Sequence, residues 1–97
     1  MRNVKRVEIV TDAREMREVT RVLQNIGVTG HTLIPQVQGR GERGVQSGDD
    51  LSDALSNAYL LVACEPELIE RLVSVVRPIL ERRGGICLVS DALWVRH

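Results

Sequence analysis

Apolar residues along this chain change their period repeatedly, and the changes mark out its elements. Val4, Val7, Ile9 and Val10 form a β-branched run that predicts a strand. Thr11 or Asp12 then offers an N-cap, after which Met16, Val19, Thr20, Leu23 and Ile26 recur at three- and four-residue steps. That spacing lays one apolar stripe on a helix whose other face carries Arg14, Arg17, Glu18 and Arg21, with Gly27 as its C-cap. Thr32, Leu33, Ile34 and Val37 predict a second strand, and Pro35 inside it implies an edge, a bulge or a bend.

Residues 39–57 have no apolar period and gather Gly, Ser, Asp and Gln, which predicts one long loop. A β run resumes over residues 59–64, and Pro66 falls where the first turn of a helix tolerates it. Leu68, Ile69, Leu72, Val73, Val76, Ile79 and Leu80 supply a second apolar stripe. Pro78 lies deep in that stripe and predicts a kink or a break into a separate last turn. Gly84-Gly85 ends the helix, residues 86–95 form a last β run, and Trp94 is expected as a core or subunit-contact anchor. The order strand, helix, strand, loop, strand, helix, strand is the split arrangement of an α+β, ferredoxin-like βαββαβ domain. It predicts an antiparallel sheet with two helices on one face, occupying residues 1–97 as a single domain. The apolar residues spread through the strands predict another subunit over the second face.

Charge narrows the partners. Thirteen basic residues balance thirteen acidic ones, so the chain has no basic excess to draw it onto nucleic acid, and no run is long enough for membrane insertion. Lys5 is the sole lysine and the other basic residues are arginines, which favours fixed, forked donor geometry. Cys64 and Cys87 sit in apolar runs with no ligand cluster near them and read as core thiols. With no apolar segment of a secretion signal in the first ten residues, they predict a cytoplasmic protein.

The chemistry concentrates in Gly39-Arg40-Gly41-Glu42-Arg43-Gly44. Glycines let backbone N–H groups approach an anion, and arginines add always-charged planar donors, so the segment suits phosphate or another oxyanion. No nucleophile with an adjacent base and no general-base pair can be assigned, and no catalytic turnover is expected.

Over nearly its whole length the chain resembles PII-type nucleotide-binding signalling proteins. The resemblance rests on Val7-Glu8-Ile9-Val10, on Ile26-Gly27-Val28-Thr29-Gly30-His31-Thr32, on the Gly39-Arg40-Gly41 turn and on Ile86-Cys87-Leu88-Val89-Ser90-Asp91. It implies a homotrimer with nucleotide sites in the clefts between subunits and a long loop that changes shape with the ligand. Carried across, it implies that Thr32 lies near the adenine, that Val10 and Val62 form its apolar wall, and that Gly39, Arg40 and Gly41 cradle the phosphates. A neighbouring subunit would contribute the Arg82-Arg83-Gly84-Gly85 turn and the end of the last strand, where Arg96 or His97 matches the family's C-terminal arginine.

Departures from the signalling members refine the expectation. Ile86 stands where a lysine reaches the phosphates, and Arg40 replaces an aromatic between the turn glycines. Tyr59 opens a strand, which argues against tyrosine nucleotidylation. The chain is similar in these respects to the carboxysome-associated or inorganic-carbon-linked PII-like branch. That similarity implies ADP or AMP ahead of ATP, bicarbonate as a second ligand with Arg40 and Arg43 as its candidate forks, and a regulated partner such as a bicarbonate transporter or a carboxysome-linked protein. Two other classes compete: a trimeric metal-ion-binding protein of the same fold, for which Asp49, Asp50, Asp53, His31 and His97 would matter, and a structural interaction module with an empty cleft.

Overall fold

The computed structural model describes residues 1–37 and 57–95. In chain order these form β1 (Arg2–Asp12), a 3-10 turn (Ala13–Glu15), α1 (Met16–Asn25), β2 (Thr32–Val37), β3 (Asn57–Cys64), a second 3-10 turn (Pro66–Leu68), α2 (Ile69–Arg83) and β4 (Ile86–Trp94). The four strands make one sheet in the order β2-β3-β1-β4, with every neighbouring pair antiparallel. This is the α+β, ferredoxin-like arrangement expected from the element order.

Local chemistry accounts for the element ends. The Asp12 carboxylate accepts from the Arg14 backbone N–H at 2.8 Å and caps the turn into α1. Gly27, at φ 95°, takes the left-handed position that closes α1, and Pro66 stands at the start of the turn into α2. Edge strand β2 shifts its register against β3 between Ile34 and Val37, and the irregularity spans Pro35 as a proline in a ladder requires. Helix α2, by contrast, runs through Pro78 without breaking into a separate turn. Pro78 and Ser74 are both exposed, so water can take the Ser74 carbonyl that loses its helical donor.

The core lies between the helices and one face of the sheet. Val7, Ile9, Leu60 and Val62 meet Met16, Val19 and Leu23 of α1 and Leu72, Val76 and Ile79 of α2, all buried. Register places Val10, Ile34, Tyr59, Leu61, Ile86 and Leu88 on the opposite face. There Ile34, Ile86 and Leu88 remain about half exposed. Trp94 shares that exposure and is not a core residue. Among the described residues no helix is long and apolar enough to cross a membrane.

Candidate functional site

Antiparallel pairing decides which predicted residues share an end of the sheet. β1 ends at Asp12, which pairs with Asn57 at the start of β3; Asn57 also pairs with Val37, the end of β2; and Ile86, the start of β4, pairs with Val10. Val37, the end of β2, and the turn between α2 and β4 therefore stand at the same end of one chain's sheet. Three strand spacings, about 14 Å, separate β2 from β4 there. The other end of β4 is remote, since Trp94 pairs with Arg2 about 30 Å away along the strand. The Gly84-Gly85 turn and Trp94 thus lie at opposite ends of β4 within one chain.

The Gly84-Gly85 turn is held closely against β1. Gly84 closes α2 with its N–H donating to the Leu80 carbonyl at 2.6 Å, at φ 80°. Its own carbonyl accepts from the hydroxyl of Thr11 at 2.8 Å, and Thr11 is only 2% exposed. Gly85, at φ 119°, lies so near β1 that a Cβ would overlap the Val10 carbonyl oxygen and crowd the Thr11 side chain. Glycine is required here on both counts, positive φ and close approach.

The surroundings of this turn are charged. Arg83 Nε donates to Glu15 Oε1 at 2.7 Å, and Arg82 Nη2 donates to Glu18 Oε1 at 2.6 Å. Asp12 and Arg14 form a further pair beside them. The Arg14 guanidinium bonded to Asp12 holds its carboxyl below the usual 3.8 against the opposing effect of burial, with a smaller contribution from Arg83. On the uncovered sheet face the Tyr59 hydroxyl donates to Glu8 Oε2 at 2.7 Å, a bond that raises the phenol's pKa. Burial pushes the Cys64 and Cys87 thiols up, and neither thiol is bridged.

The predicted residues separate accordingly. Val10 and the exposed Thr32 share the uncovered sheet face. Val62 does not join them: it pairs with Val7 on the helix side and is 1% exposed, so it forms no wall with Val10 within one chain. The half-buried β3 neighbours on that face are Tyr59, which pairs with Val10, and Leu61, which pairs with Thr32. Gly84 and Gly85 stand at the end of β1, Arg82 faces Glu18 of α1, and Arg83 faces Glu15 of the turn that leads into α1. The turn also belongs to the same sheet end as Val37 in the same chain, and the Trp94 end of β4 lies away from both. Gly39, Arg40, Gly41, Arg43, Arg96 and His97 lie outside the described residues, as do Asp49, Asp50 and Asp53.

The pattern along the chain missed Thr11, Glu15 and Glu18 as partners of the turn. Thr11 was legible only as a cap candidate and Glu18 only as part of the polar helix face, while Glu15 carried no signal of its own. Among the described residues no three His, Cys, Asp or Glu side chains gather as a metal site. A groove of about 320 Å³ runs along the helix side of β4, lined by Val73, Val76, Arg77, Leu80, Glu81, Cys87 and Val89. It contains none of the predicted site residues.

The model of the nitrogen regulatory protein P-II family matches residues 4–97. No curated protein sequence matches the chain. Among solved structures, CPII of Thiomonas intermedia K12 bound to ADP and bicarbonate is 27% identical at a TM-score of 0.78, covering 93% of this chain and 86% of that one. CPII from the same organism bound to ADP, AMP and acetate is 22% identical at a TM-score of 0.83, covering 98% and 91%. A protein of Thermus thermophilus, provisionally described as a PII-like signalling protein, is 22% identical at a TM-score of 0.73, covering 94% and 88%.

Proposed function

Because this chain belongs to the nitrogen regulatory protein P-II family, we propose that it is a PII-like signalling protein whose homotrimer binds an adenine nucleotide, ADP or AMP, between subunits. The observation that carries this reading is the division of the candidate residues between opposite ends of one sheet. For the Gly84-Gly85 turn and the end of β4 to line one site, a second copy must bring its strand end to the first copy's turn. The uncovered sheet face supplies a driving force for that assembly. Ile34, Ile86, Leu88 and Trp94 are each 45–55% exposed in the single chain, and burying such area is worth about 25 cal/mol per Å².

The turn suits a phosphate because its positive-φ glycines put no side chain in the way; the Gly84 N–H is taken by the Leu80 carbonyl, so the Gly85 N–H is the donor in this reading. Gly39, Arg40 and Gly41 are the second anion element in this reading, Val10 and Thr32 face the base, and Arg96 and His97 come from the neighbouring copy. Ile86 leaves no ammonium for a terminal phosphate, which favours ADP or AMP over ATP. Bicarbonate is the second ligand, with Arg40 and Arg43 as its forked donors. The bound forms of CPII, with ADP and bicarbonate and with ADP, AMP and acetate, support the ligand class.

Occupancy is transmitted through the 39–57 loop to a partner, a bicarbonate transporter or a carboxysome-linked protein, in the cytoplasm and without turnover of the nucleotide. Calorimetric titration of nucleotide-stripped protein with ADP, AMP and ATP, with and without bicarbonate, tests the reading. Saturable ADP or AMP binding near one site per subunit is expected. Absence of binding by any adenine nucleotide would overturn it.

A further inference from the structure

Arg82 and Arg83 close α2, yet both reach sideways to α1. Arg83 Nε donates to Glu15 Oε1 at 2.7 Å, while Arg82 Nη2 donates to Glu18 Oε1 at 2.6 Å and stands 3.9 Å from Glu15 Oε2. These four groups make a network across two helices, in which the Glu15 carboxylate is only 14% exposed. A partly buried network of this kind holds geometry better than an isolated surface pair. Glu15 also lies in the turn that directly follows β1 and is capped by Asp12. One side of the network is therefore anchored to the strand against which Gly85 packs.

We propose that Arg82 and Arg83 are positioning residues for the anion site: they clamp the end of α2 to α1 through Glu18 and to the turn before α1 through Glu15, fix the Gly84-Gly85 turn, and do not themselves touch phosphate. The ligand in this inference rests on the nucleotide reading above; the clamp does not. Two consecutive glycines at positive φ lose more conformational freedom on ordering than residues with side chains do. Holding the turn before the ligand arrives removes that ordering cost from binding. β1 holds it on one side, through Thr11 and the close fit of Gly85, and α1 holds it on the other, through the two arginines.

A direct role for the arginines predicts the opposite response to one substitution. Were the guanidiniums to leave α1 and grip the phosphates, neutralising Glu15 would release Arg83 and tighten binding. A clamp instead loses its anchor, and binding weakens.

The deciding experiment uses the full chain, nucleotide-stripped, as wild type, Glu15→Gln, Arg83→Gln and the charge-swapped double variant Glu15→Arg/Arg83→Glu. ADP affinity is read by calorimetry, and amide hydrogen exchange at Gly84, Gly85 and Ile86 is read in the ligand-free state. Each single variant is expected to weaken ADP binding about twofold to fivefold and to speed exchange at the turn, with the swap recovering both. Tighter ADP binding by Glu15→Gln, or a swap that recovers neither quantity, overturns the proposal. Should the wild type bind no ADP, the nucleotide reading falls and the exchange arm decides the clamp alone. Faster exchange in the singles with recovery in the swap sustains it, and unchanged exchange in the singles overturns it.

Discussion

The hydroxyl of Thr11 donates to the carbonyl of Gly84 at 2.8 Å, across 73 residues of sequence, and joins the end of β1 to the turn that closes α2. Thr11 is the buried polar residue of the described core. Thr11→Val keeps the side-chain shape and leaves the Gly84 carbonyl without its donor. A loss of about 1–2 kcal/mol in urea unfolding with an unchanged m-value is expected. A loss under about 0.3 kcal/mol would show that water replaces the hydroxyl at the turn.

Two positive-φ glycines should respond differently to alanine. Gly27, at φ 95°, has open space where a Cβ would go, so Gly27→Ala should cost about 1 kcal/mol, from backbone strain alone. Gly85→Ala adds an overlap with the Val10 carbonyl oxygen and the Thr11 side chain, and should cost at least about 2 kcal/mol. Thermal unfolding of both variants side by side checks the ordering, and equal costs would contradict the close approach of Gly85 to β1.

Leu88 projects from the middle of β4 on the uncovered sheet face at 55% exposure. If a neighbouring copy covers that face, Leu88→Asp places a charge in a desolvated interface and should dissociate the assembly. Sedimentation velocity is expected to give trimer for the wild type and monomer for the variant. A monomeric wild type, or a variant that stays trimeric, would remove this face from the assembly.

Asp12 links stability to acid. Its carboxyl is held below the usual 3.8 chiefly by the hydrogen bond from Arg14, so the folded state binds its proton less readily than the unfolded chain does. The contribution is fully present above pH 3.8 and is lost as pH falls through the lower, folded value. Asp12→Asn keeps an oxygen for the cap and drops the charge. It should cost up to about 1 kcal/mol at neutral pH, a modest figure because Arg14 is largely exposed. Urea midpoints measured from pH 7 down to about pH 2 should converge with wild type at the acid end. A constant difference across the range would assign the effect to the cap bond alone.

Much of this fold was legible in the chain because its signals are local. The stripes Met16, Val19, Leu23 and Leu72, Val76, Ile79 repeat with the helical period and are buried as that period requires. Asp12, Gly27 and Pro66 end or begin elements by their own backbone and side-chain chemistry, and Pro35 marks the irregular edge strand. Val62 was not legible in the same way. The apolar run over residues 60–64 does not alternate clearly, so its facing depends on pairing Val62 with Val7.

The same distinction separates the site's residue types from its arrangement. The chain by itself determined that glycines and arginines cluster after two apolar elements, and the resemblance to PII-type proteins followed from those residues. Only the tertiary structure decided that Arg82 and Arg83 face carboxylates 64 and 68 residues away, and that the turn stands at the opposite end of β4 from Trp94. Periodicity and capping act over a few residues of the chain. Which side chains meet, and which stand apart, is set by strand register and helix packing, which no local pattern encodes.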